Sequence, residues 1–158
     1  MSVIALETRA HKIAAAMREL GQLPQLDCPL KHYFAPGVYV REIRMPAGAV
    51  IIGKVHKTEH FNIIQQGRVA LIDHNFKRLD LAAPCTFVSG AGVQKVLYIL
   101  EDTVWSTIHI TNNRDLESLE AELIEPHADY APLDRTVERV AIAEAAGKVG
   151  DRLLEAPV

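Results

Sequence analysis

Excess positive charge, long apolar runs and clustered cysteines are all missing from this sequence, and each absence excludes a class of function. Lys and Arg number 17 against 20 Asp and Glu, a net charge of -3 with histidines neutral, so no surplus of cations is available to track a phosphate backbone and nucleic acid is not an expected partner. The longest apolar stretches, 49–52 and 96–100, are strand-sized and far short of the roughly 20 residues a membrane helix needs, so a soluble chain is expected. Arg9, His11, Lys12, Arg18 and Glu19 interrupt the opening segment, which therefore does not read as a secretory signal. The two cysteines, Cys28 and Cys85, sit in no C-x-x-C or C-x-x-H pattern. They are expected to be reduced and buried, not paired or zinc-bound. No G-x-S-x-G elbow, phosphate-binding glycine loop or H-E-x-x-H helix is present, which leaves serine, nucleotide and zincin chemistry without support.

What is present is enough apolar material for one core: 49% of the 158 residues are hydrophobic. Val3, Leu6, Ala10, Ile13, Met17 and Leu20 recur at spacings of three and four, which predicts an amphipathic helix ended by Gly21. From His32 to Thr111 the character changes to short runs rich in Val, Ile, Tyr, Phe and Thr, broken by Pro, Gly, Asp and Asn. Strands are predicted at 38–45, 49–56, 60–65, 68–73, 78–81, 86–88, 95–100 and 103–111. Their close succession without intervening helices favours an antiparallel sandwich or barrel. Beyond Thr111, Asn112, Asn113 or Asp115 can cap a helix carrying Leu116, Leu119 and Leu123 on one face. Residues 134–154 read as a second, alanine-rich helix weakened by Gly147 and Gly150. The expected organisation is a helix and linker over 1–30, a β-barrel over 31–111 and a helical extension over 112–158.

In a continuous strand over 49–56, Val50, Ile52, Lys54 and His56 share one face. His60, Asn62 and Ile64 share a face of the next strand, and His109 shares one with Thr103, Trp105 and Thr107. If these faces look into the barrel, His56, His60 and His109 converge with neutral imidazoles on one divalent metal ion. No strand supplies a carboxylate to complete such a set, although Glu59, Glu101 and Asp102 stand in nearby turns. Lys54 and Lys95 either hold an anion or pair with those carboxylates at the barrel mouth. Trp105, the single tryptophan, and Tyr98 either pack in the core or wall a pocket.

The segment Pro46-Ala47-Gly48, then Lys54-Val55-His56-Lys57-Thr58-Glu59-His60, then Gly67 resembles the first motif of the cupin family. In that motif a P-A-G turn precedes H-x-H, a carboxylate and a glycine. Aligned on Gly67, Lys54 stands at the first histidine, His56 at the second and His60 where the glutamate is expected. Gly90-Ala91-Gly92-Val93-Gln94-Lys95 is similar to the second cupin motif, with Lys95 at its histidine. The resemblance implies a mainly β, cupin-like antiparallel barrel of the jelly-roll type with helical extensions at both ends.

Four further segments, His32–Glu42, His56–His60, Ala83–Ser89 and Glu101–His109, resemble a branch of cupin-like proteins encoded by tailed bacteriophages and prophages. That likeness implies a non-enzymatic virion or morphogenesis component, found in the virion or the host cytoplasm, assembling as a homo-oligomer and with other virion proteins. Two alternatives stand beside it. One is a metal-dependent cupin enzyme with His56, His60 and His109 as ligands and Lys54 or Lys95 holding an anionic substrate. The other is a small-ligand-binding module using the barrel mouth.

Overall fold

The computed structural model describes residues 3–72, 77–126 and 139–142, with side chains described for 11–72 and 77–126. Helix α1 (Val3–Gly21) is followed by strands β1 (Leu30–Ala35), β2 (Val38–Met45), β3 (Ala49–Ile52), β4 (His60–Gln66), β5 (Arg68–Ile72), β6 (Arg78–Ala82), β7 (Cys85–Ser89), β8 (Val96–Ile99) and β9 (Thr103–Ile110). Helix α2 (Leu116–Leu123) and strand β10 (Arg139–Ile142) complete the order.

The strands form two antiparallel five-stranded sheets, ordered β1-β2-β9-β4-β7 and β10-β3-β8-β5-β6. With β1 and β10 set aside as edge additions, the chain winds back and forth between the two sheets, except at the β5–β6 hairpin, whose two strands lie side by side in the second sheet. This is the eight-stranded, double Greek-key jelly roll. The mainly β, cupin-like barrel expected from the sequence is therefore the observed architecture.

Three apolar clusters hold it. Between the sheets lie Cys28, Ile43, Met45, Ala49, Ile51, Ile64, Val69, Leu97, Ile99 and Trp105. The described face of α1 sets Ile13, Ala16, Met17 and Leu20 on the outer side of the second sheet, against Val50, Ile52, Ile72 and Val96. With the core on one side and α1 on the other, all four residues of β3 are buried, which explains why its sequence is continuously apolar instead of alternating. Leu119 and Leu123 from α2, with Ile124 just after it, close one end of the barrel over Tyr39.

Turn chemistry fixes the register. Gly67 has φ 93°, and a Cβ there would collide with the carbonyl oxygen of Asp102 and with Thr103, so only glycine lets β4 and β5 pass so close to the β8–β9 turn. Asp115 caps α2 by accepting from the Ser118 amide at 2.9 Å. On the outer face of the first sheet the register aligns Tyr33, Val40, Ile108, Phe61 and Val88 in one row crossing all five strands. Tyr33, Phe61 and Val88 are about half exposed, at 48%, 51% and 50%.

Three expectations are corrected. The strand over 49–56 ends at Ile52, and β1 was not foreseen as a strand. The helix expected over 134–154 is described only at Arg139–Ile142, which instead form β10 on the edge of the second sheet, paired with β3; the rest of it lies outside the described residues.

Candidate metal centre

The break after Ile52 decides which residues enter the barrel. Val50 and Ile52 face outward under α1, while Ala49 and Ile51 face the core. An unbroken strand would therefore have sent Lys54 and His56 outward with Val50 and Ile52. At Gly53 the ladder stops: its amide donates to the Lys95 carbonyl at 2.9 Å and its carbonyl accepts from the Gln94 side chain at 2.9 Å. The extra backbone reverses the parity, as a bulge does. Lys54 and His56 turn inward and are 3% and 8% exposed. The sequence reading paired these two residues correctly but placed them with the wrong neighbours.

Residues 54–57 are then held from outside by the chain around α2. His56 forms a bridge with Ile124, the Lys57 amide donates to the Leu123 carbonyl at 2.8 Å, and the Glu125 amide donates to the Val55 carbonyl at 2.9 Å. From β4 come His60 and Asn62, and from β9 come Trp105, Thr107 and His109, all buried on the inward face as alternation requires.

His56, His60 and His109 meet at the barrel end beneath α2. Their ligand nitrogens lie within 4.8 Å of one another, and their ring centroids are 4.2 to 5.0 Å apart. His60 Nδ1 donates to the Thr58 carbonyl at 2.8 Å, which fixes the tautomer and leaves the Nε2 lone pair directed elsewhere. Tyr39 stacks on His109, and its hydroxyl is 2.8 Å from His32 Nδ1.

Burial is the main force on the protonation of all three. It holds His56 far below the ordinary imidazole value of 6.5, helped by the charges that His60, His109, Lys95 and Arg41 would oppose to a second cation. His109 is lowered to about 3 by burial, then by His60, Arg41 and Lys95. His60 is lowered by burial and Lys95, with the Thr58 carbonyl acting in the opposite direction. The triad is neutral at physiological pH.

Neutral imidazoles are the protonation state that ligates metal. His56 Nδ1, His60 Nε2 and His109 Nδ1 are buried without a hydrogen-bond partner among the described residues, at a cost of about 1–3 kcal/mol for each such atom. A cation shared between them removes that cost, so the residues fit a divalent transition ion of the type that imidazole suits. No carboxylate joins the cluster among the described residues.

The partner of Lys54 differs from those expected. Glu101 pairs with Arg68 at 3.5 Å and Asp102 accepts from the Ala47 amide at 2.9 Å. Lys54 instead pairs with Glu120 of α2 at 3.0 Å, its own side chain 1% exposed. Next to the triad is a cavity of about 50 Å³ walled by Arg41, Lys54, Lys95, His56 and Thr107 over an apolar floor that includes Ile51, Leu97 and Trp105. Trp105 thus both packs in the core and floors the cavity, and its indole N–H donates to Asn62 at 3.1 Å. Tyr98 points away and is 38% exposed.

Arg41, Glu120 and Tyr39 are the site residues the sequence reading missed. Arg41 had a signal: it is a lone cation among Tyr39, Ile43 and Met45 on the inward face of β2. Glu120 had none, because nothing local shows that α2 folds back over Lys54.

The architecture and this interior site define a cupin-like jelly roll with a histidine-lined barrel. No family model matches the chain and no curated protein does. Among solved structures it is similar to a cupin superfamily protein from Desulfitobacterium hafniense (11% identity, TM-score 0.46, covering 56% of this chain and 82% of that one). It is also similar to an RmlC-like cupin family protein with a double-stranded β-helix fold from Methanocaldococcus jannaschii (11%, 0.46, 54% and 81%) and to KdgF from Halomonas sp. (16%, 0.45, 56% and 81%). Identities and scores this low carry no functional inference, and the strand order itself defines the fold.

Proposed function

We propose that this protein is a metal-binding jelly-roll module that engages a small molecule inside its barrel, with His56, His60 and His109 as the ligands of one divalent transition-metal ion. The observation that carries the reading is the meeting of three buried, neutral imidazoles, each with a ring nitrogen that has no partner among the described residues, at one end of the barrel. Held by these three imidazoles, such an ion would supply Lewis-acid polarisation of an oxygen atom brought beside it. The chain's own residues do the rest. Thr58 orients His60, Tyr39 backs His109, and the strap of residues 123–125 fixes His56. Leu119, Leu123 and Ile124 keep water from that end.

The test is elemental analysis of the purified chain, followed by titration of the EDTA-treated protein with Co²⁺ under visible absorption. One equivalent of metal, with tetrahedral-type cobalt bands that disappear in His60→Ala, is expected. Metal content near zero that does not recover on reconstitution would overturn the reading.

A second reading, a structural or interaction component that assembles as a homo-oligomer, is supported by the apolar row across the outer face of the first sheet. Contiguous exposed apolar surface marks association sites. Native mass measurement separates the cases: a dimer or larger ring broken by Phe61→Lys supports it, and a strict monomer at micromolar concentration excludes it. No described helix is long and apolar enough to cross a membrane.

A further inference from the structure

A second cavity, of about 180 Å³, lies at the seam where the ends of β5 and β7 meet the loop before β8. Leu71, Ile72, Phe87, Val88 and Val93 form most of its wall. Leu71 and Phe87 belong to the core between the sheets and Ile72 to the cluster under α1, so the back of the cavity is the hydrophobic interior itself. Among the described residues no carboxylate lines it. Two polar side chains on the wall are engaged elsewhere: Ser89 accepts from Asn62 at 2.9 Å, and Gln94 donates to the Gly53 carbonyl at 2.9 Å. A held water needs about two to four polar partners, and this wall offers it few.

The cavity is continuous with the surroundings of the histidines. Lys95 lines it and also lines the smaller cavity beside His56. The loop that forms one wall is bonded to the segment carrying His56: the Gly92 amide donates to the His56 carbonyl at 2.9 Å, and the Gly53 amide donates to the Lys95 carbonyl at 2.9 Å. Toward solvent there is room, since a Cβ added at Gly90 would meet no atom within 4 Å, and Val88 is half exposed. The far side of the triad is closed by Leu119, Leu123 and Ile124. A molecule entering by the seam therefore meets this apolar recess before it meets the imidazoles.

Volume and lining together name what fits. A cavity of ~150 Å³ lined by Leu, Ile and Phe side chains takes up benzene, and the recess at the seam has the same chemistry at a similar size. We propose that it holds the uncharged hydrocarbon part, about six carbons, of the small molecule that the barrel engages, with the other end of that molecule directed past Lys95 toward the triad. The inference rests on the metal-centre reading for that other end, whereas the apolar subsite takes a bare hydrocarbon with or without metal.

The experiment is titration of the full chain, both cobalt-loaded and EDTA-treated, with benzene and, separately, with dioxane, a water-loving ring of the same size, followed by methyl NMR. Benzene is expected to shift the methyl signals of Leu71, Ile72, Val88 and Val93 in both forms, to raise Tm by mass action, and to bind about tenfold or more tightly than dioxane. Val93→Trp, which places an indole in the recess, is expected to abolish the shifts at Leu71 and Ile72. Gly90→Phe, at the rim, is the second blocking variant should Val93→Trp fail to fold. Benzene shifts confined to other methyls, undiminished in both variants, or matched by dioxane at equal affinity overturn the inference. Cobalt held with no benzene shift overturns it and leaves the metal centre standing. Benzene bound at these methyls by a chain that holds no cobalt supports the subsite and removes the metal centre.

Discussion

Acidifying the metal-free protein from pH 7 to pH 5 should destabilise it far more than its surface charges would. His56 and His109 are neutral when folded, the first held well below 6.5 and the second at about 3. In the unfolded chain both take up a proton as the pH passes 6.5. The unfolded state therefore binds more protons over this range, and stability falls as pH falls, until the folded imidazoles themselves titrate. From pH 7 to pH 5 each group loses about 1.4 units of linkage, or about 2 kcal/mol, and the pair about 4 kcal/mol. His60 is shifted in the same direction and adds to the loss. For a domain of this size that corresponds to a fall of roughly 8–16 °C in Tm. Asp115, held below its usual 3.8 by the Ser118 amide, loses its contribution only as pH falls through the carboxylate range, below this window. The assay is thermal unfolding by circular dichroism in EDTA at half-unit pH steps, for the parent and for His109→Asn. The parent should show the steep acid limb, and the variant should lose about 1.4 kcal/mol per pH unit of its slope. A flat Tm between pH 7 and 5, or an unchanged slope in His109→Asn, would refute the claim that these rings are buried neutral.

Glu120→Gln leaves Lys54 buried beside a neutral amide and should cost about 1–3 kcal/mol in urea unfolding, below the roughly 3–5 kcal/mol of a fully buried broken pair because Glu120 is partly exposed; a loss under half of that would mean Lys54 relaxes to water. Leu20→Ala removes a fully buried contact between α1 and the second sheet and should cost about 2–5 kcal/mol, detectable as a lower urea midpoint at unchanged m-value. Gly67→Ala forces a Cβ against the Asp102 carbonyl at positive φ and should destabilise by at least ~1–3 kcal/mol; a Tm equal to the parent's would disprove that the turn requires glycine. Tyr39→Phe removes the hydroxyl next to His32 and should cost about 1 kcal/mol while leaving cobalt stoichiometry at one.

The barrel was legible because most of its strands obey local rules. Turn residues bounded β2, β4, β5 and β9 closely, and inward alternation named His60, Asn62, Trp105 and His109 as neighbours across β4 and β9. The reading failed where tertiary context overrides the local pattern. Alternation through 49–56 assumed an unbroken strand, and one glycine with two hydrogen bonds to the Gln94–Lys95 segment reversed the face of His56. The partner of Lys54 was sought in adjacent turns, yet it arrives from α2, 66 residues further along the chain. Strand β10 sits in a segment whose alanines favour helix, and only the open edge of β3 draws it into a sheet.

The strap behind His56 has a consequence for how the molecule can be divided. All eight strands of the jelly roll are complete by Ile110, so a chain cut just after them would keep the eight-stranded barrel while losing α2 and the edge strand β10. It would lose Glu120, Leu123, Ile124 and Glu125, and with them the backbone bonds that press residues 54–57 inward. Such a truncation would still be a barrel, but a blind one, with one of its three imidazoles free to swing out of register.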